Sequence, residues 1–417
     1  MAKNAFPDKV LGASGMYRRG AGVTPVGAAR YICFKRAAMT PYSEKGLLPA
    51  GLRDGLPPQA EWEARVVERL LDGFGRHGYQ RVKPPLIEFE ETLLASSGAP
   101  LAQQMFRLMD PVSQRMLALR PDITLQVARI AETRLIDAPR PLRLSYAGQV
   151  LRVRGSQLRP ERQFAQAGAE LIGCAALAAD LEIVLLAAES LAAVGVRSPS
   201  IDLTQPMLVP AVCRGLGLDD ATAAAARQAL DHKDAAALAA VAGKAAPLLQ
   251  GLLAAAGPAE AVMAALEKLR LPAPADMMVA ELTELVRRVR AAAPDLMLTV
   301  DPGEFRGFEY HTGVSFTMFA KGVRGELGRG GRYLGGGEET ATGFTLYLDS
   351  LLRAVPPPAN DKLLYLPADT AIAEARRLRQ EGWRTVQGLE PAADLGSEAR
   401  RLGCSHILQA GSVEKAK

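Results

Sequence analysis

The chain has 417 residues, 48% hydrophobic and 23% charged, with 50 Lys+Arg against 45 Asp+Glu for a net charge of +5. That is long enough for two or three domains with ample core, and too weak a basic excess for a dedicated nucleic-acid binder. Cys33, Cys174, Cys213 and Cys404, and His77, His232, His311 and His406, are scattered without disulfide or zinc spacing, so a reducing, cytoplasmic setting is expected, and no apolar run approaches the about 20 residues of a membrane-spanning helix.

Residues 1–38 hold one acid, Asp8, against Lys3, Lys9, Arg18, Arg19, Arg30, Lys35 and Arg36. A basic extension without order over 1–45 is expected; a transit peptide, or a chain that truly begins at Met39, are the other readings of this composition. From Pro57 and Pro58 a helix is predicted, with Trp62, Val66, Val67, Leu70, Leu71 and Phe74 at helical spacing and Gly75 and Gly78 at its end. RVKPPLIEFE is an extended run whose proline pair suits an edge or interface. Asp110 and Pro111 mark a turn, and LRPDIT leads into a helix reaching about Leu135, with Asp122 placed to cap it.

LRLSYAGQVLRVRG and FAQAGAELIG alternate as antiparallel strands. Arg152 and Arg154 are expected on one face, and Gln166, Gly168 and Glu170 on another, beside small alanines that leave room for a ligand. A helix over Ala175–Val194 and a strand over Ile201–Thr204 follow. An alanine-rich, all-α insertion spans about 206–294. TVDPGEFRGFEYHTGVSFTMF then reads as two strands of a β-hairpin whose turn carries Arg306, Glu309, Tyr310 and His311. RGELGRGGRYLGGG lacks both phosphate-loop spacings and is expected to form turns. TGFTLYLDSLLRAV runs from strand to helix, PPPAN is a linker, and the last residues alternate as βαβαβ. The expected fold class is α+β: a core over 46–355 with the helical insertion, and a small α/β unit over 361–417.

GLRDGLPP, RVKPPLIEFEET, LRPDIT, YAGQVLRVRGSQLRPERQFAQAGAELIG, DPGEFRGFEYHTG, GRGGRY and TGFTLYLDSLL, in that order, resemble the motifs of histidyl-tRNA synthetase, a class II aminoacyl-tRNA synthetase. The antiparallel sheet of that fold is implied. Three departures stand out. Arg152 is kept in the second motif, but Arg154 stands where the synthetase has Glu. Tyr347 and Ser350 stand where its third motif has Gly and the Arg that contacts ATP. Ser350 cannot replace a guanidinium, and Tyr347 should block the adenine path. Adenylation is therefore expected to be lost.

A synthetase fold without an ATP site resembles the regulatory subunit of ATP phosphoribosyltransferase, which GLLPAGLRDGLPP and DPGEFRGFEYHTGVSFTMFAKGVRGELGRGGRY also match. That resemblance implies a noncatalytic chain without cofactor or metal. It implies self-association as a dimer, assembly with a short-form catalytic subunit in a hetero-octamer, and L-histidine as feedback effector in histidine biosynthesis. It also carries over the histidine-site positions: Asp122, Thr124 and Gln166 for the ammonium, Arg306 for the carboxylate, Glu170 for an imidazole N–H, and Tyr310 and His311 as walls. Each has a plain structural use as well: Asp122 as a helix cap, Glu170 as a partner of Arg162, His311 as core. Sensing at a subunit interface is the alternative site. A divergent active histidyl-tRNA synthetase, with Arg353 as rescue arginine, and an RNA-binding pseudo-synthetase are the competing functions.

Overall fold

The computed structural model describes residues 46–94, 102–156, 159–305, 310–335, 339–357 and 362–416. Among the described residues, those from Pro49 onward belong to one compact unit. The expected extension over 1–45 lies outside the described residues, and the fold below is that of this unit.

Helix α1 (Gln59–Arg76) forms where the apolar stripe predicts it, and buries Val66, Leu70, Leu71 and Phe74. The proline-bearing run is split: β1 (Gln80–Arg81) belongs to the main sheet, and β2 (Ile87–Phe89) to a small one. After helix α2 (Glu90–Leu94), β3 (Arg107–Met109) and β4 (Met116–Leu119) complete that small sheet in the order β2-β4-β3. The Asp110 carboxylate accepts from the amides of Val112 and Ser113 at 3.2 and 3.1 Å, which closes the turn between β3 and β4. Helix α3 (Thr124–Thr133) starts directly after LRPDI.

Strands β5 (Leu142–Leu151) and β6 (Gln163–Ile172) pair antiparallel along their full length. Helix α4 (Leu177–Ala193) and β7 (Pro199–Thr204) follow. Helices α5 (Leu208–Gly215), α6 (Asp220–Asp231), α7 (Ala235–Val241) and α8 (Ala246–Ala254) come next, then a two-residue strand β8 (Gly257–Pro258), α9 (Ala259–Leu266) and α10 (Ala275–Ala292). The insertion is thus not wholly helical: β8 pairs with β9 (Met297–Val300) and ties the helices to the sheet edge. Strands β10 (His311–Ala320), β11 (Gly328–Leu334) and β12 (Thr340–Tyr347) lead into helix α11 (Leu348–Ala354).

The main sheet runs β1-β5-β6-β12-β11-β10-β7-β9-β8. Two expectations fail here. β9 and β10 are not a hairpin: β7 lies between them, parallel to β9 and antiparallel to β10. GRGGRYL is not a turn but strand β11, buried between β10 and β12. Its glycines are demanded by packing. A Cβ at Gly330 would sit 2.4 Å from Phe316 Cζ, and one at Gly328 would sit 2.2 Å from the Thr345 carbonyl oxygen.

The C-terminal residues form β13 (Leu363–Leu366), α12 (Ile372–Gln380), β14 (Arg384–Gln387), α13 (Leu395–Arg401), β15 (His406–Gln409) and β16 (Ser412–Lys415), a sheet in the order β14-β13-β15-β16. The last strand, antiparallel to β15, is additional to the expected βαβαβ.

The main sheet has a core on each face. On one, α1, α4 and the insertion helices pack around Phe74, Ile183, Leu191, Phe316 and Phe344. On the other, Ile123 and Val127, at the start of α3, meet Leu144, Tyr146, Val150, Phe164, Tyr333 and Tyr347. This second face carries the candidate site.

Candidate amino-acid pocket and the closed nucleotide side

Side-chain alternation puts Gln166, Gly168 and Glu170 on one face of β6. Cross-strand register extends that face. Leu144, Glu170 and Gly343 are neighbours, and the row continues through Gly331, Ser315 and Thr204. A buried carboxylate therefore faces a row of small residues. A Cβ at Gly343 would stand 1.8 Å from Glu170 Oε2, so the carboxylate lies over bare backbone.

Glu170 is 1% exposed. Tyr333 donates its hydroxyl to Oε2 at 2.9 Å, and Tyr146 donates to Oε1 at 3.2 Å. Burial pushes the Glu170 carboxyl up to about 8, against the pull of the tyrosine and Thr124 hydroxyls. Burial likewise raises both tyrosine hydroxyls, so they stay protonated and donate. The suggested alternative partner, Arg162, instead donates to the backbone oxygens of Arg152 and Ala50 at 3.3 and 3.1 Å.

The Asp122 carboxylate serves two partners. Oδ1 accepts from the Thr124 amide at 2.9 Å, a capping bond at the start of α3, and Oδ2 accepts from Gln166 Nε2 at 2.8 Å. Gln166 Oε1 accepts in turn from the Ile123 amide at 3.2 Å. Thr124 Oγ1 lies 3.1 Å from the Tyr146 hydroxyl, which lies 2.7 Å from Thr345 Oγ1. Asp122, Thr124, Gln166 and Glu170 are thus one polar network, joined through Tyr146. Networks of this kind fix side-chain orientation before a ligand arrives.

Arg120, which sequence reasoning passed over, holds the segment carrying Asp122. It is 6% exposed and donates to the carbonyls of Gln149 and Pro84 at 2.8 and 3.0 Å and to Gln126 Oε1 at 3.2 Å. Its Nη2 fills the place a Cβ would take at Gly148, the neighbour of Gln166 across the β5–β6 ladder. The only sequence signal was its position in LRPDIT.

His311 is buried and Tyr310 is 56% exposed. Their ring centres lie 4.0 Å apart with the planes tilted by 36°, and Tyr310 meets Tyr333 edge-on at 6.2 Å. Tyr333 therefore links these two residues to Glu170. Arg306 lies outside the described residues.

Arg152 donates Nε to the Pro121 carbonyl at 3.3 Å and stands 5.2 Å from the Phe164 ring centre. Arg154 is exposed, beyond the end of β5, and does not share a strand face with it. Ser350 is buried and accepts from Arg353 at 3.0 Å. Tyr347 is half of an unforeseen arrangement. The Arg159 guanidinium lies 3.8 Å from its ring centre and 5.1 Å from that of Phe164. Arg159 Nε is 3.1 Å from Asp349 Oδ2, and its Nη2 is 3.6 Å from Glu326 Oε1. The side chain is 10% exposed. Where the synthetase motifs lead one to look for ATP, this chain stacks its own arginine. Among the described residues no group of His, Cys, Asp and Glu is arranged to hold a metal ion, and no helix is long and apolar enough to cross a membrane.

Comparison with known proteins identifies the fold and the family. A family model for histidyl-tRNA synthetase matches residues 51–351. The ATP phosphoribosyltransferase regulatory subunit of Rhodospirillum centenum is 61% identical over 370 residues, covering 88% of this chain and 96% of the relative. That of Paramagnetospirillum magneticum is 58% identical over 370 residues, covering 89% and 98%. Among solved structures, an ATP phosphoribosyltransferase regulatory subunit/histidyl-tRNA synthetase from Bacillus halodurans aligns with a TM-score of 0.75 at 25% identity, over 87% of this chain and 97% of that one. Histidyl-tRNA synthetase from Nostoc shares the fold, with a TM-score of 0.74 at 19% identity over 88% and 92%. The chain belongs to the family of ATP phosphoribosyltransferase regulatory subunits, a regulatory rather than catalytic chain built on the α+β fold of a class II histidyl-tRNA synthetase.

Proposed function

We propose that this regulatory subunit senses L-histidine in the pocket framed by Asp122, Thr124, Gln166, Glu170, Tyr310 and His311, with Arg306 supplying the carboxylate partner. Occupancy is passed to a short-form catalytic subunit in a cytoplasmic hetero-octamer that contains dimers of this chain, so that histidine limits the first step of its own synthesis. In this reading 46–355 is the working core with its helical insertion, 361–417 a small accessory unit, and 1–45 an extension outside both.

One observation supports the reading above the rest. The polar frame for an amino acid is assembled, with Gln166 Nε2 at 2.8 Å from Asp122 Oδ2, while the adjoining nucleotide side is filled by Arg159. A protein that must bind an amino acid but not activate it needs that asymmetry. The same feature disfavours a divergent active synthetase, because the proposed rescue arginine, Arg353, bonds to Ser350. Calorimetric titration of the purified chain with L-histidine tests the pocket: saturable binding that Gln166→Ala weakens at least about tenfold supports it. Binding unaffected by Gln166→Ala and by Asp122→Asn places the effector elsewhere. Histidine-dependent ATP–pyrophosphate exchange would restore the synthetase reading.

A further inference from the structure

Helix α6 of the insertion ends in an unusual way. The Lys233 amide donates to the Leu230 carbonyl at 3.0 Å and the Asp234 amide to the Ala229 carbonyl at 2.9 Å, the paired bonds of a left-handed helix cap. Glycine is the usual residue at the capping position, and Gly78, Gly195 and Gly217 fill it after α1, α4 and α5. After α6 the place is taken by Lys233, at a φ of 55°. The backbone gains nothing from a lysine there, so the side chain must be the reason for it. Its Nζ reaches Asp301 Oδ2 at 2.5 Å, 68 residues along the chain.

The same end of α6 grips the next four residues as well. Leu230 packs beside Gly303, where a Cβ would meet its Cδ2 at 3.8 Å. Asp231 Oδ1 accepts from the Phe305 amide at 3.2 Å, and the Arg227 guanidinium lies 5.2 Å from the Phe305 ring centre. From the opposite side β7 holds the segment. The Asp301 amide donates to the Leu203 carbonyl at 3.0 Å, and the Thr204 hydroxyl to the Glu304 carbonyl at 2.9 Å. The corner is acidic: burial, with Asp202 and Asp301 close by, pushes the Glu304 carboxyl up to about 7, and Lys233 and Arg329 oppose that rise. Segment 301–305 is thus clamped between sheet and insertion, and in the sequence it leads directly towards Tyr310 and His311.

We propose that the end of α6 tunes the histidine site, with Lys233 and Asp231 as positioning residues that hold segment 301–305 in the register the pocket needs. The helical insertion, and not the sheet alone, then sets effector affinity. The inference rests on the reading of this pocket as the histidine sensor. It separates position from stability, because the Lys233 side chain is 45% exposed and an ion pair so open to water adds little to the fold.

The test is calorimetric titration of the full chain with L-histidine, alongside its melting temperature, in wild type, Lys233→Gly, Lys233→Arg and Asp231→Ala. Lys233→Gly removes the ion pair and relieves the backbone, so it should melt within about 3 °C of wild type. It should nevertheless bind histidine at least about fivefold more weakly. Lys233→Arg, which keeps the cation, should restore most of the affinity, and Asp231→Ala, which frees the Phe305 amide, should weaken binding in the same direction. Wild-type affinity in either folded Lys233→Gly or folded Asp231→Ala overturns the proposal, as does a Lys233→Arg variant that binds as weakly as Lys233→Gly. Gln166→Ala distinguishes the two failures. If it weakens binding while Lys233→Gly does not, the pocket stands and only the role of α6 falls. If the wild type binds no histidine, or binds it indifferently to Gln166→Ala, the pocket and this inference fall together.

Discussion

Tyr333 on β11 donates its hydroxyl to Oε2 of Glu170 on β6 across 2.9 Å, with one strand, β12, between them. The bond is possible because the intervening strand presents Gly343, which has no side chain to part them. Three strands thus cooperate to bury one carboxyl group, with Tyr146 of a fourth on its other oxygen.

That burial has a pH signature. Glu170 titrates near 8 in the folded chain and near 4.5 when unfolded. Between these values the folded state holds a proton that the unfolded state has lost, so stability falls as pH rises, by up to about 1.4 kcal/mol per pH unit from this group. The contribution is fully present below about pH 4.5 and is lost on passing 8. Urea denaturation at pH 5.5, 6.5 and 7.5 is expected to show a fall in stability that is shallower in Glu170→Gln. Equal slopes for the two proteins contradict the assignment.

The same proton links to ligand. A cationic ammonium or an imidazole N–H favours ionised Glu170, so histidine binding should expel the proton. Calorimetry at pH 7 in two buffers of different ionisation enthalpy should give net proton release on binding, and Glu170→Gln should reduce it.

Gly343 offers a steric test. Ala at this position puts a methyl 1.8 Å from Glu170 Oε2 and 2.7 Å from the Ala169 carbonyl oxygen. Gly343→Ala is expected to cost about 1–3 kcal/mol or more and to weaken histidine binding. Gly73, inside helix α1, has open space around it, and Gly73→Ala should stabilise by about 0.5–1 kcal/mol. Chemical denaturation of the two variants reads both signs.

Arg159 and Asp349 form a buried pair, with side chains 10% and 2% exposed. Removing the arginine leaves the carboxylate uncompensated, so Arg159→Ala should lose about 3–5 kcal/mol, with Asp349→Asn recovering part of it in the double variant. A double-mutant cycle on the denaturation midpoints measures the coupling.

How much of this could be read in the sequence depended on the range of each interaction. Alternation alone put Gln166 and Glu170 on one face, and Asp122 was legible as a cap because its bond to the Thr124 amide is local. The tyrosines that hold Glu170 were not, since Tyr333 lies 163 residues away. The β9–β10 hairpin was misread because β7, from before the helical insertion, separates the two strands. β11 was misread as turns because its glycines have low strand preference by themselves and are selected by the crowding of Phe316 and Thr345. Arg159 lies between β5 and β6, in a segment with no periodicity to expose its role.

The central claim is that an amino-acid pocket in a catalytically silent synthetase fold controls a partner enzyme. The most direct measurement titrates the activity of the proposed partner, a short-form ATP phosphoribosyltransferase catalytic subunit, with this chain, with and without L-histidine, using wild type and Arg306→Ala. Wild-type chain should activate and histidine should reverse the activation, whereas Arg306→Ala should still activate but respond to histidine at least about tenfold more weakly. Full histidine inhibition in Arg306→Ala would contradict the account and move the sensor out of this pocket.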